Sequence, residues 1–383
     1  MKVKTKKKIA LIFNQDIGYC REVLFGIQEF YLENSNWIFR NGVSDRKVLK
    51  PLLEWQPDGI IGHIFDKNLA NELQKLSIPI VNTTKTIPDC SLTTIDVDHY
   101  EVGRLAANYL LQKNFADYGY FGSKLAVFSQ LRLQGFSDTL RQNNYEIKTF
   151  YGNFLPRLQI EDSWVKFDKN IEQWLKSLRK PAAVLASNDT PARYLSEICQ
   201  QLNIKIPDDV AILGVDNNLM ECTLATPPIS SIEVPAQEIG YQAAELLDKM
   251  LHDKIVSNDI SLPPGQIIAR RSSDILAVED GDVATALSFI RTNINRRILV
   301  EEVCDKVGIS RRQLERKFRR DIGRSIHTEI RSSQISLAKN ILRENNKTIQ
   351  EVSAMCGFNS TRSFTEVFKT ATSMTPSEYR NKN

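Results

Sequence analysis

From residue 7 to about residue 270, short apolar runs alternate with amphipathic stretches, and this alternation restricts the possible folds more than any other feature of the chain. Strands are expected at 8–14, 58–64, 78–82, 93–96, 118–122, 147–151, 182–186 and 210–215. Helices are expected between them, at 22–32, 100–112, 130–143, 163–178, 191–202 and 236–252. Strands separated by helices lie parallel, with the crossovers covering both faces of the sheet. The number of strands exceeds what one small sheet holds, so two α/β lobes are expected. In open sheets of this kind a ligand binds beyond the carboxyl ends of the strands.

The polar residues at those ends are therefore the first candidates: Asn14, Asp96, Asn188 with Asp189, and Asp216. Carboxylates and amides make paired hydrogen bonds that suit the vicinal hydroxyls of a sugar. The competing reading is that each of them caps the helix that follows. Several other classes lack a signal. No GxxxxGK[ST] or GxGxxG phosphate loop follows the first strand, and no GxSxG elbow occurs, so no enzyme is expected. The six cysteines (20, 90, 199, 222, 304, 356) and four histidines (63, 99, 252, 327) are scattered without metal-ligand spacing. No metal, cofactor or disulfide framework is expected. Apolar runs reach five or six residues, as in 9–13, too short to span a bilayer. The basic start MKVKTKKK leads into an apolar run that stops at Asn14, which argues against a secretory signal and for a cytoplasmic protein.

The segments GYCREVLFGI (18–27), DGIIGHI (58–64), IPIVN (78–82), TIDVDHYEVGRLAANYL (94–110), RLQGF (132–136), VLASNDTPARYL (184–195), IPDDVAILGVDN (206–217) and IGYQAAELL (239–247) together resemble the core of the lactose-repressor family. The resemblance implies a two-lobed periplasmic-binding-protein-like core, with parallel sheets and helices on both faces, that closes on a sugar or purine. It also implies ligand contacts at Arg132 of RLQGF, Asn188 of ASND and Asp216 of GVDN. Asp189 joins them as the neighbour of Asn188. Tyr19 and Arg21, where the first strand meets its helix, and Asp96 complete the candidate set. One departure stands out. That family keeps its helix-turn-helix at the N-terminus, whereas the first strand here begins at about residue 8, so a DNA-binding element must lie elsewhere or be absent.

The last hundred residues supply it. Residues 279–383 hold 19 Lys+Arg against 13 Asp+Glu, while the rest of the chain holds 31 against 33. A basic tail on a slightly acidic body points to a polyanionic partner for the tail. The tail also repeats: VEEV (300–303) followed by GIS (308–310) recurs as IQEV (349–352) followed by GFN (357–359). Farther on, Leu314 and Phe318 match Phe364 and Phe368. Each half reads as a helix, a turn with glycine and a second helix, with Ser310 and Ser360 as N-caps. With Leu314 and Phe318 buried, Arg311, Arg312, Gln313, Arg316 and Arg320 are candidates to contact DNA. On the later helix the candidates are Thr361, Arg362, Ser363, Glu366 and Lys369. Arg bonds guanine and Gln bonds adenine in pairs, and Glu accepts from cytosine.

GISRRQLERKF (308–318), AKNIL (338–342) and GFNSTRSFTEVFKTATSMTPSEYR (357–380) resemble the DNA-binding domain of the arabinose-regulator (AraC) family. This implies two helix-turn-helices joined by a long helix near 325–343, reading successive major-groove faces. Ser373 replaces that family's usual Gly, Ile326 a usual Pro and Glu366 a common Arg. The expected division is a ligand-binding core over 1–275 and an all-α double helix-turn-helix domain over 276–383. This order of modules resembles the xylose-operon regulators, which implies a pentose effector, D-xylose first, and an activator acting as a homodimer on two operator half-sites with RNA polymerase. The rival from another class is a sugar-binding sensor without regulatory DNA contacts.

Overall fold

A computed structural model describes residues 6–34, 36–152, 169–252, 259–274, 280–344 and 347–382. The chain opens with β1 (Lys7–Ile12), α1 (Gly18–Asn34), β2 (Trp37–Gly42), α2 (Leu49–Trp55), β3 (Gly59–Gly62), α3 (Lys67–Gln74), β4 (Ile80–Asn82) and β5 (Thr93–Val97). It then builds α4 (His99–Leu111), β6 (Asp117–Gly122), α5 (Val127–Gln142), β7 (Ile147–Tyr151), α6 (Lys169–Ser177), β8 (Ala182–Ala186), α7 (Asp189–Gln201), β9 (Val210–Asp216), α8 (Leu219–Leu224) and β10 (Ser230–Glu233). Three further elements close the core: α9 (Ala236–Leu251), β11 (Ile260–Leu262) and β12 (Ile267–Ile268).

Two six-stranded sheets result, ordered β11-β5-β4-β3-β1-β2 and β12-β10-β9-β8-β6-β7. Every pairing is parallel except β10 with β12. The first sheet with α1, α2, α3 and α9 forms lobe 1, and the second with α4 to α8 forms lobe 2. The chain passes between lobes three times, after β5, after β10 and after β11. Both lobes contribute to one apolar core, in which Ile9, Val97 and Leu247 of lobe 1 meet Leu110, Phe136 and Leu213 of lobe 2. In lobe 2, α4 and α5 approach so closely that a Cβ on Gly103 would stand 2.0 Å from the carbonyl oxygen of Arg132. That approach fixes the height of Arg132 in the molecule.

All eight strands expected from the sequence are present within a residue or two. β2, β10, β11 and β12 are additions. The last two are three and two residues long and exist only because the chain returns to each sheet in turn. The expected helix at 163–178 is seen from Lys169 onward, and its first residues, like the division point at 275, lie outside the described residues.

The tail comprises α10 (Gly281–Thr292), α11 (Val300–Val307), α12 (Arg311–Asp321), α13 (Ile326–Glu344), α14 (Ile349–Met355), α15 (Thr361–Thr372) and α16 (Pro376–Lys382). Local sequence explains its helix starts. Reciprocal Ser/Thr-x-x-Gln/Glu bonds cap α12 through Ser310 and Gln313, α14 through Thr348 and Glu351, and α16 through Thr375 and Glu378. Two separate cores form, one around Leu314 and Phe318, the other around Phe364 and Phe368. The joining helix α13 gives Ile326 and Ile330 to the first and Ile335, Ala338, Ile341 and Leu342 to the second.

Candidate functional site

At the carboxyl ends of β3, β5, β8 and β9 a chain of polar side chains bridges the lobes. Asp96, 3% exposed, accepts hydrogen bonds from the amides of Lys85 and Val97, both at 2.7 Å. Its Oδ2 lies 2.9 Å from Nε2 of His99. Burial alone would raise the Asp96 carboxyl, but His99 and the two amides outweigh it and hold the group below its ordinary value. Burial pushes His99 down, so its imidazole is neutral near pH 7. A neutral ring has one donor and one acceptor. Nε2–H therefore donates to Asp96, and Nδ1 accepts from Nε of Arg132 at 3.3 Å. Arg132 is itself buried; its Nη1 donates to the carbonyl of Ser187, and its Nη2 reaches Oδ1 of Asp216 at 3.5 Å. The guanidinium also stands over the Phe128 ring, 5.2 Å from the centroid.

Asp216 and Asn217 both have positive φ, 104° and 50°. Such strain in non-glycine residues persists where the surroundings enforce it and clusters at functional sites. Arg270 holds the carbonyl oxygen of the Asn217 side chain at 2.9 Å, and Ser231 Oγ accepts the Asn217 amide at 3.0 Å. Burial, assisted by the charge of Asp96, raises Asp216 to about 6, with Arg132 and Asn188 opposing.

The capping alternative is decided residue by residue. Asn188 precedes α7 but makes no side-chain cap bond. Asp98, not Asp96, caps α4, and Asn218, not Asp216, caps α8. Asn14 accepts from the amide of Asp16 in a local turn. Asp96, Asn188 and Asp216 thus have no helix end to account for them.

Two candidates stand apart from this chain of hydrogen bonds. Asp189 is 1% exposed, and both its oxygens are taken by the core: Oδ1 accepts from Ser231 Oγ at 2.6 Å and Oδ2 from the Asn218 amide at 2.7 Å. Burial and the charge of Asp216 push its carboxyl well up. It anchors the α8 loop beneath the site, because a side chain one residue farther along α7 turns under the sheet. Arg21 donates to the carbonyl of Gln15 at 2.7 Å and stays at the rim. An open cleft of about 1150 Å³ carries Arg21, Tyr19 and Asp216 in its wall; Asp96, Arg132, Asn188 and Asp189 do not line it. Arg132 and Asp96 are closed off beside it, their hydrogen bonds satisfied by protein partners.

The structure adds residues that sequence reading missed. His63, just past β3, is 6% exposed, and its Nδ1 is buried without a hydrogen-bond partner among the described residues. Burial lowers it to about 4, so it is neutral. Its ring lies 5.7 Å from those of Tyr19 and Phe65. Tyr19 donates its hydroxyl to the carbonyl of Thr83 at 2.7 Å. The strand-end rule that selected Asp96 and Asp216 applies equally to His63, whereas His99 carries no such signal.

In the tail, Leu314, Phe318, Phe364 and Phe368 are buried, so the opposite faces of α12 and α15 point outward. On α12 the cations divide. Arg311 pairs with Glu301 at 2.8 Å; Arg320 pairs with Asp280 at 2.8 Å and Asp321 at 2.5 Å; Lys317 pairs with Asp280 and Asp282. Gln313 is occupied as the reciprocal cap of Ser310. Arg311, Gln313 and Arg320 are therefore engaged by the domain itself, because carboxylates from α10 and α11 reach the same face. Arg312, Arg316 and Arg319 are exposed and make no ion pair among the described residues. On α15, Arg362 pairs with Glu366 at 3.1 Å, with both side chains largely exposed. Lys369 is exposed, while Thr361 and Ser363 are half-buried at the helix start.

A two-lobed core with an interlobe polar cluster, joined to a double helix-turn-helix, defines a transcription regulator that carries a periplasmic-binding-protein-like module. Family models agree with each part: the XylR N-terminal domain over residues 8–89, a periplasmic binding protein-like domain over 107–273 and a helix-turn-helix domain over 303–382. The chain is 30% identical to the xylose operon regulatory protein of Haemophilus influenzae, over 97% of this chain and 98% of that protein. It is 29% identical to the protein of the same name from Escherichia coli K12, over 99% and 98%. A solved structure described as the xylose-binding transcription activator XylR is 28% identical, covers 99% of both chains and superposes with a TM-score of 0.79. The chain belongs to the xylose operon regulatory protein family.

Proposed function

We propose that this chain is a sugar-responsive, sequence-specific DNA-binding activator of pentose-utilisation genes, with D-xylose as effector. The Asp96–His99–Arg132–Asp216 chain across the lobes carries the reading, with the unpartnered His63 Nδ1 beside it. A neutral polyol needs fixed donors and acceptors against apolar or aromatic walls. Tyr19 and Asp216 stand in the cleft wall, and Asp96 and Arg132 would exchange protein partners for sugar hydroxyls only as the lobes part. The names of the relatives supply the sugar. Arg312, Arg316 and Arg319 supply unpaired charge for phosphates and base edges. A dimer placing its tails on two half-sites and recruiting RNA polymerase in the cytoplasm completes the reading.

The sugar acts by favouring one arrangement of the lobes, by no more than its differential affinity for the two. Calorimetry with D-xylose, L-arabinose and D-ribose tests the effector. Asp216→Ala is expected to abolish binding in a folded protein, and His63→Phe to weaken it. Unchanged D-xylose affinity in both variants would reject the cleft assignment. A gel shift on the upstream region of neighbouring sugar genes tests the tail. No retardation at low salt with any sugar would leave a sensor without regulatory DNA contacts.

A further inference from the structure

Among the described residues, the hydrogen bonds that join the tail to the core run from α10 to Asp208 of lobe 2. Ser288 and Arg291 lie three residues apart on α10 and so share a face. Ser288 Oγ donates to Oδ2 of Asp208 at 2.9 Å, and Arg291 Nη2 donates to Oδ1 of the same carboxylate. Asp208 sits in the turn before β9. Around this bond the chemistry is charged and enclosed. Burial lowers Arg291 to about 10, with Glu329 of α13 opposing. Asp274 is raised by burial against Lys113 and Arg324. Lys113 stands 4.7 Å from the Tyr109 ring, whose hydroxyl meets Ser273 Oγ at 2.9 Å. Arg324 pairs with Glu329 at 2.5 Å.

The placement of this contact matters more than its strength. β9 runs from Asp208, just before its first residue, to Asp216 in the interlobe cluster, roughly 25 Å at the rise of a strand. α4 runs from His99, in the same cluster, to Lys113, just past its end, roughly 20 Å at the helical rise. β9 thus has a cluster residue at one end and a tail contact just before the other, while α4 leads from the cluster to Lys113, whose charge lies near Arg291. Lobe 2 is joined to lobe 1 by three crossovers, about which it can turn as a body.

From this geometry we infer that Asp208 is the positioning residue that couples the cleft to DNA: it locks α10, and with it the first helix-turn-helix, to the base of lobe 2. A change in lobe angle then carries α12 with it. This rests on the proposed sugar and DNA binding, and the test separates the two. Hydrogen exchange of α10 in the full-length protein reports docking without any ligand. Asp208→Ala leaves Arg291 enclosed without its partner, so exchange over 281–292 should accelerate at least about tenfold while α9 is unchanged. An unchanged rate overturns the contact. Calorimetry with D-xylose and operator anisotropy at fixed salt report coupling. Asp208→Ala should keep each separate affinity within about threefold and lose the sugar-dependent change in operator affinity, about 5–150-fold for typical coupled sites. Retention of the full change overturns the proposal. The swap Asp208→Arg with Arg291→Asp should restore it, and Ser288→Ala, which removes one hydrogen bond, should move both readouts by less. A native chain indifferent to D-xylose would count against the proposed effector, while the exchange measurement still decides the docking.

Discussion

The two halves of the tail are built on one plan and charged on two. In both, a glycine with positive φ (Gly308, 81°; Gly357, 71°) separates the helices, a serine caps the second helix, and two large apolar side chains bury its inner face. The outer faces diverge. α12 carries six cations, three of which are neutralised by Glu301, Asp280, Asp282 and Asp321. α15 carries two, one of them paired with Glu366. Packing is what the repeat preserves, because a helix-turn-helix needs its inner face to fold. The outer face is free to vary, and there the first half is equipped to hold a polyanion while the second is nearly neutral.

The largest expected effect concerns the cores. Phe318→Ala and Phe368→Ala should each cost about 3–5 kcal/mol, confined to its own half because the cores are separate. Exchange measured half by half checks this, and equal loss in both halves would break the comparison. The glycines should separate next. Gly308→Ala meets nothing within 4 Å and should cost about 1–2 kcal/mol for its positive φ alone. Gly357→Ala should cost more by thermal melting, since its Cβ would stand 2.2 Å from the Arg296 carbonyl oxygen. On DNA, Arg312→Ala should weaken operator binding by about 1–3 kcal/mol and relax base preference. Arg362→Ala should cost less, because Glu366 already competes for it; equal losses in a salt-controlled gel shift would erase the asymmetry. The smallest effect is a gain. Ser373 ends α15 at φ 63°, a conformation that favours glycine, so Ser373→Gly should stabilise the second half by about 1 kcal/mol, read as a higher melting point.

The tail was the more legible region. Its turns, caps and buried pairs are signalled within a dozen residues; Ser310 and Ser360 stand where the pattern placed them, and the joining helix where the resemblance implied it. The strand-end rule singled out Asp96 and Asp216, which the structure joins through His99 and Arg132, and Asn188, which bonds Asp216. It misjudged Asp189, since only the packing of Ser231 and Asn218 reveals where that carboxylate is satisfied. His63 passed unnoticed because the apolar run reads as strand through residue 64, whereas β3 ends at Gly62, just before it.

By itself the sequence determined the order of elements, the two modules and the internal repeat, because periodicity, capping and turn chemistry act between near neighbours. Only the tertiary structure decided which charges are free. Lys317 and Arg320 look like Arg312 and Arg316 in the chain, and differ because Asp280, nearly forty residues earlier, folds beneath them, joined by Asp282 at Lys317 and by the neighbouring Asp321 at Arg320. It also decided that α9 returns to lobe 1, that His99 orients Arg132 and that Asp208 meets α10 eighty residues later. An ion pair or a buried hydrogen bond depends on distance in space, and separation along the chain does not set it.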